Sequence, residues 1–425
     1  MLDLNEKLKA RLIATLGEVL PSVEVLHGKF LTSRNRVALI KLDEALPGHG
    51  PLRERLARYI DADFPAMTFI FDLLQYELAI EEYTDDSKKL SEIVGFEDAT
   101  ANATRLINAF DSLPWRYALS IALPKDVSDL LGSVVVDESL GPNLRLVKAT
   151  KDFSGKYPLN HTDKKRHESI HRPSLLFGPE EESYIENAVY LQIDTEGFIG
   201  PYGGSSPAIQ AERVLKSFLG LALALRLVKV ANVVHGSPPT RSFFVHKNEG
   251  DAWTIHAKID LDRDPSRLLA EIEPNEMFSS ASEERKVALV KLILDELKAV
   301  FSAGEKAETI LLGAEWLFES YGVQDRRLSY VQSMVVLEVL LGDKATSDVI
   351  GLGQLLRNRC AYLIGKTHDE RRTLLKEFDE IYAVRSQIVH RGKANLNFKE
   401  RLLSGKLRDI CNRVIQREVD LLRGK

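Results

Sequence analysis

The chain has 425 residues, 44% of them hydrophobic and 28% charged, with a formal net charge of −5. That is too apolar for a disordered polymer, and long enough for two to four domains at about 100–200 residues each. Its two cysteines, Cys360 and Cys411, can build neither a disulfide framework nor a thiolate zinc site, so a reducing intracellular setting is expected.

Charge is unevenly spread. Residues 371–425 hold 14 Lys and Arg against 7 Asp and Glu, a net of +7, which leaves −12 on the 370 residues before them. A basic C-terminal piece on an acidic body is the asymmetry expected when one domain meets phosphate.

In chain order, amphipathic helices are predicted near residues 3–19, 51–60, 66–82, 101–112, 208–230 and 283–302. The last carries Leu289, Leu292, Ile293 and Leu297 at spacings of three and four. The opening MLDLNEKLKARLIATLGEVL lacks the basic start, apolar run and cleavage site of a signal peptide, so a cytoplasmic protein is expected. The most apolar stretch, SFLGLALAL (217–225), is fenced by Lys216, Arg226 and Lys229 and falls short of the ~20 residues a bilayer requires. No membrane span is expected. Strands are predicted at VEVLHGKF, RVALIKL, YALSIALP, SVVVD, AVYLQID, RSFFVH and WTIHAKIDL, bounded by Gly, Pro, Asp or Asn. The stretch from Arg145 to Arg172 lacks periodicity and reads as a long basic loop. After the FSAGEK breaker every segment reads as helix. The fold class expected is an α+β region, residues 1–303, followed by an all-α bundle, residues 304–425.

Several local motifs lose to plainer readings. DLDRDPSRLLAE (260–271) places acids at EF-hand positions, but Pro265 stands where the loop needs Gly and Arg267 intrudes, so a solvated acidic turn before a helix is expected. Gly200, Gly203 and Gly204 lack the spacing of a phosphate-binding loop, which leaves Ser205 or Ser206 to cap the next helix. His161, His167 and His171 are interleaved with Lys164, Lys165, Arg166 and Arg172, a setting that repels a divalent cation and suits phosphate. No metal or cofactor is expected.

The sharpest signal is an Arg followed five positions later by His. It occurs at Arg166/His171, Arg241/His246 and Arg385/His390, so the bare spacing decides nothing. The first pair lies in the basic loop and the second in a strand, where residues five apart face opposite ways. Arg385 and His390 lie instead near the end of a helix whose apolar stripe is Leu374, Phe378, Ile381, Val384 and Ile388. A five-residue step leaves them about 140° apart in a straight helix. Gly392 reads as the residue that ends the helix and places His390 in its last turn. Imidazole is the side chain best suited to give and take protons near neutrality.

With these residues in hand, the C-terminal 120 residues resemble a HEPN domain (higher eukaryotes and prokaryotes nucleotide-binding) of the Apea-like branch. VVLEVLLG (335–342) resembles that branch's ALExLL helix with Glu338 in the acidic place. LRNRCAYLIG (356–365) resembles its xxRxAxLL helix with Arg359 in the basic place, and IYAVRSQIVHRG (381–392) resembles YxxRSxIVHG. Arg391 before Gly392 is a departure that adds positive charge. Where another HEPN group continues as His-x-Tyr, this chain has Gly392, which disfavours that toxin type. Residues 1–303 resemble no named family and are expected to sense a phage or cellular trigger, or to restrain the bundle.

The resemblance implies a metal-independent RNA endonuclease that works as a homodimer in prokaryotic anti-phage or stress defence, acting on RNA, with tRNA one candidate. It assigns His390, Arg385 and Ser386 to catalysis, Arg391, Lys393, Tyr382 and Arg359 to RNA contact, and Glu338 to support. The alternative is a non-catalytic HEPN module binding RNA, nucleotide or a partner protein, in which Arg385 pairs with an acid such as Glu338.

Overall fold

A computed structural model describes residues 1–78, 85–160, 183–200, 205–231 and 240–425. The chain is mixed α and β, with a helix and strand region followed by an all-helical one. His161, His167, His171 and their basic neighbours lie outside the described residues, as do Gly203 and Gly204.

The first 113 residues build a core of their own. Helices α1 (Glu6–Val19), α2 (Ser33–Leu39), α3 (Lys41–Glu44), α4 (Pro51–Tyr59), α5 (Pro65–Leu78) and α6 (Ala99–Asp111) surround a small sheet of β1 (Glu24–Leu26), β2 (Phe30–Leu31) and β3 (Ser87–Lys89). Two buried amides hold its hairpin. Gln75 accepts from the Leu31 N–H at 2.9 Å and donates to the Lys29 carbonyl at 2.6 Å. Asn35 makes the equivalent pair of bonds to the backbone of Glu24. RVALIKL, expected as a strand, is helical in α2 and α3. Its buried positions are Leu39 and Leu42, which with Asn35 just before it give a spacing of four and three, while Val37 is exposed.

The second core is built on a six-stranded antiparallel sheet. The strands are β4 (Trp115–Ala122), β5 (Asp137–Gly141), β6 (Leu144–Lys148), β7 (Val189–Gly197), β9 (Ser242–Glu249) and β10 (Ala252–Asp260), in the order β10-β9-β4-β7-β6-β5. Here β8 (Val228–Val230) lies outside the sheet and pairs with β11 (Ile272–Pro274). SVVVD does not form a strand: Ser133–Val136 follow α7 (Lys125–Leu131) as a turn, Val136 is exposed, and pairing begins only at Asp137. The expected loop from Arg145 is ordered at its start, with Arg145–Lys148 in β6 and Lys151–Lys156 forming α8. The acidic segment near 260 is helical from Arg263 as α10 (Arg263–Glu271).

Helix α9 (Ser206–Ala224) carries the strongest apolar run, and its second half, residues 217–224, is buried on all sides, as a helix apolar around its circumference must be, whereas Ile209, Gln210 and Arg213 in its first half are exposed. It ends at Ala224 rather than 230, because Arg226 takes a left-handed φ of 62° and the chain turns into β8. The expected cap also differs. Ser205 occupies the capping position without a side-chain bond, and Ser206 Oγ donates to the Arg58 carbonyl at 3.3 Å.

Beyond α11 (Glu283–Phe301), whose buried stripe is Val290, Ile293, Leu294, Leu297, Val300 and Phe301 with Leu292 exposed, the 3-10 turn Gly304–Ala307 leads into the helical region. This comprises α12 (Glu308–Gly322), α13 (Arg326–Leu341), α14 (Lys344–Ile350), α15 (Leu352–Ile364), α16 (His368–Arg391) and α17 (Phe398–Leu422). One predicted helix is two, divided at Gly351, whose φ of 85° lies outside helical space. Secondary structure changes character near 303, but the core does not stop there. A single apolar cluster runs from Tyr117 in β4 through α9 to Val419 in α17. Helix α9 bridges the two parts: Ser217 Oγ donates to the Leu311 carbonyl at 3.0 Å, and Gln416 Nε2 to the Ala224 carbonyl at 2.6 Å. At the crossing with α12, a Cβ on Gly220 would stand 1.9 Å from the Ala314 carbonyl oxygen, so only glycine permits that approach.

Candidate active site

The Arg385/His390 segment is the last part of α16. Thr367 caps this helix at its start by accepting from the Glu370 N–H, and Leu374, Phe378, Ile381 and Val384 bury one face. Tyr330 Oη donates to the Ile381 carbonyl at 3.1 Å and fixes α16 against α13. Gly392, at a left-handed φ of 61°, ends the helix, and its N–H returns to the Gln387 carbonyl. His390 is therefore in the final turn.

The functional candidates differ in how far they are committed. Arg385 is 18% exposed and donates from Nη2 to Glu338 Oε1 at 3.1 Å, while its Nε is buried without an acceptor. Its guanidinium lies 5.9 Å from the centre of the Tyr382 ring. Tyr382 packs on α15 where Gly353 leaves room, since a Cβ there would come within 2.7 Å of the ring. Ser386 is half-buried, whereas His390 and Arg391 are exposed and make no hydrogen bond or ion pair among the described residues.

Two residues expected at RNA, Arg359 and Lys393, have partners within the chain. Arg359 donates to the Leu341 carbonyl at 2.9 Å, satisfying the C-terminal end of α13 just beyond Glu338. Lys393 Nζ donates to Glu400 Oε1 at 2.6 Å and to Gln387 Oε1 at 3.0 Å. Glu400 in turn forms a capping box with Asn397 at the start of α17. Burial pushes the Glu400 carboxyl up, but Lys393 and the Asn397 N–H outweigh it and hold the group below its ordinary value. Glu400 and Gln387 are partners of this segment that its apolar periodicity does not mark. The Asn-Phe-Lys-Glu spelling of the box was the available signal.

The backbone stays helical through Arg391, so the five-residue step keeps the Arg385 and His390 side chains about 140° apart. Within one chain Arg385 reaches inward to α13 and His390 faces solvent. The competing pair at Arg241 and His246 is structural: His246 is fully buried in β9 with Nε2 3.0 Å from the Pro158 carbonyl oxygen. Arg166 and His171 lie outside the described residues. Among the described residues no three His, Cys, Asp or Glu side chains come close enough to share a metal ion, and no helix is long and apolar enough to cross a membrane.

Comparison of the chain with protein-family models, with curated proteins and with solved structures finds no match.

Proposed function

We propose that this protein is a HEPN-type ribonuclease that cleaves RNA without a metal, with its reactive groups at the end of α16. The observation that carries the reading is the contrast within one anchored helix: an inward Arg385 with donors to spare and, in the last turn, an outward His390 with no partner among the described residues. His390 takes the proton of a ribose 2′-hydroxyl, O2′ bonds to the adjacent phosphorus, and the P–O5′ bond breaks with a proton returned to O5′. The products are a 2′,3′-cyclic phosphate and a 5′-hydroxyl. Arg385 holds the non-bridging oxygens as their negative charge grows, a role suited to a planar guanidinium, and Ser386 hydrogen-bonds the phosphate. Because the two side chains diverge within one chain, the reading requires a homodimer in which each copy completes the other's cleft. Exposed Arg391 supplies backbone attraction. A cytoplasmic role in phage or stress defence, with residues 1–303 receiving the trigger, belongs to the same proposal.

A second reading has a specific observation of its own. The Arg385–Glu338 pair, each side chain less than a quarter exposed, links α16 to α13 as a structural strut would. Such a module binds RNA, nucleotide or a partner protein and cuts nothing.

Total RNA incubated in EDTA with wild type, Arg385→Ala and His390→Ala, followed by end-group analysis, separates the two. The ribonuclease leaves cyclic-phosphate ends, and His390→Ala lowers the rate by about 10²–10⁴-fold, the ordinary worth of a general acid or base, with its melting temperature unchanged. Cleavage surviving in both folded variants would remove these residues from catalysis. RNA binding without cleavage, retained in His390→Ala, favours the second reading.

A further inference from the structure

A cavity of about 510 Å³ opens where the two parts of the large core meet, lined by Lys216 of α9, Asp262 to Pro265 at the start of α10, Phe318, Glu319 and Gly322 of α12, Val323 after it, and Gln332 of α13. Its charges are not balanced. Lys216 Nζ is consumed by Glu212 and Glu319, each at 3.0 Å. Asp262 occupies the capping position of α10, where an aspartate normally turns onto the helix amides, yet makes no such bond and leaves its carboxylate uncommitted. Asp264 has only a 4.0 Å contact with Arg267, whose guanidinium is already held by Glu271 and the Gly322 carbonyl. Against these two carboxylates stands exposed Arg263. Deeper in, Gln332 is 8% exposed and its Oε1 has no donor.

The lining therefore asks for a ligand rich in N–H donors and positively charged. The start of α10 would otherwise attract an anion, but the carboxylates there oppose one. A compact divalent ion is also a poor match, because among the described residues no three carboxylates converge on one point. Dispersed acceptors with an apolar floor of Phe318, Pro265 and Val323 between them match positive charges separated by methylenes. We propose that this cavity binds an aliphatic di- or polyamine, bridging the helix and strand region to the C-terminal helices. The buried Gln332 acceptor and the Asp262 and Asp264 carboxylates take its ammonium groups. This site is independent of the ribonuclease reading.

Calorimetric titration of the full-length protein with spermidine tests it, in about 150 mM salt, where charges more than about 8 Å apart are screened. Saturable one-to-one binding is expected, weakened about tenfold in Asp262→Asn/Asp264→Asn, whose exposed positions leave folding intact, and not displaced by equimolar magnesium. Absence of saturable heat overturns the proposal. Equal affinity in the double variant overturns it as diffuse attraction to an acidic body, and full displacement by equimolar magnesium assigns the cavity to a divalent ion instead.

Discussion

The N-terminal 113 residues and the remainder of the chain are stabilised in different ways. The first build a closed core around a three-stranded sheet, touching the rest chiefly through Phe198 and Trp115, whose rings pack on Phe69 at 4.6 and 5.4 Å. The second spread their main core across the sheet, helix α9 and the helical region, with no break where secondary structure changes at 303, and keep a smaller separate cluster of Ala118, Val147, Ala149, Phe153, Tyr157 and Tyr190 on the sheet. A change from mixed elements to helices is thus a poor guide to what folds together. The shared apolar surface decides it, and α9 supplies that surface to both sides.

The largest test of this contrast is truncation. Residues 304–425 alone lose the partners of Ile310, Ala314 and Leu317, so they are expected to be insoluble or to lack a cooperative melt, whereas residues 114–425 melt cooperatively. Circular dichroism of both fragments checks it, and a well-folded 304–425 would break the comparison. Next comes Gly220→Ala. With a carbonyl oxygen 1.9 Å from the new Cβ, α9 and α12 must separate, at a cost of about 3 kcal/mol, read as a drop in the midpoint of urea unfolding.

This division was hidden in the linear pattern for a physical reason. Periodicity reports which face of an element is apolar and not which neighbour covers it, so α11 and α16 were legible to within a residue or two while the core they share was not. RVALIKL reads as a strand because a run of apolar residues suits strand and helix alike, and the helical phase emerges only when buried Asn35, just before it, is counted with Leu39 and Leu42. At the candidate site, Arg385, His390 and the terminating Gly392 were legible because helix-end chemistry is local. The engagement of Arg359 with Leu341 and of Lys393 with Glu400 was not, since each depends on which helix end lies nearby.

Acid should pull the two cores in opposite directions. Burial holds the His246 imidazole, in the sheet, down to about 4, while burial raises Asp72, on α5, to about 6 against the opposing charge of Arg36. Below pH 6.5 the unfolded chain protonates at 246 and the folded chain does not until about 4, so sheet stability falls across that window. At Asp72 the folded chain takes its proton near 6 and the unfolded chain only near 3.8, so stability present at low pH is lost as pH rises through 6. Each effect is at most about 3 kcal/mol. Hydrogen exchange at pH 7 and pH 5, corrected for intrinsic rates, should show β9 losing protection relative to α5. His246→Gln should abolish the first trend and Asp72→Asn the second.

The smallest expected effect bears most closely on function. If the Arg385–Glu338 pair is chiefly a strut, Glu338→Gln strands a half-buried guanidinium and costs about 1–2 kcal/mol, with Arg385→Ala costing a similar amount and the double variant little more than either. If Glu338 instead holds Arg385 ready for phosphate, Glu338→Gln frees the guanidinium, and RNA affinity should rise even as stability falls. Urea unfolding and RNA titration on the same four proteins therefore give two independent readouts, because a strut couples the residues in stability alone. Coupling that appears in RNA affinity as well places Arg385 at the phosphate, and its absence there confines the pair to holding α16 on α13.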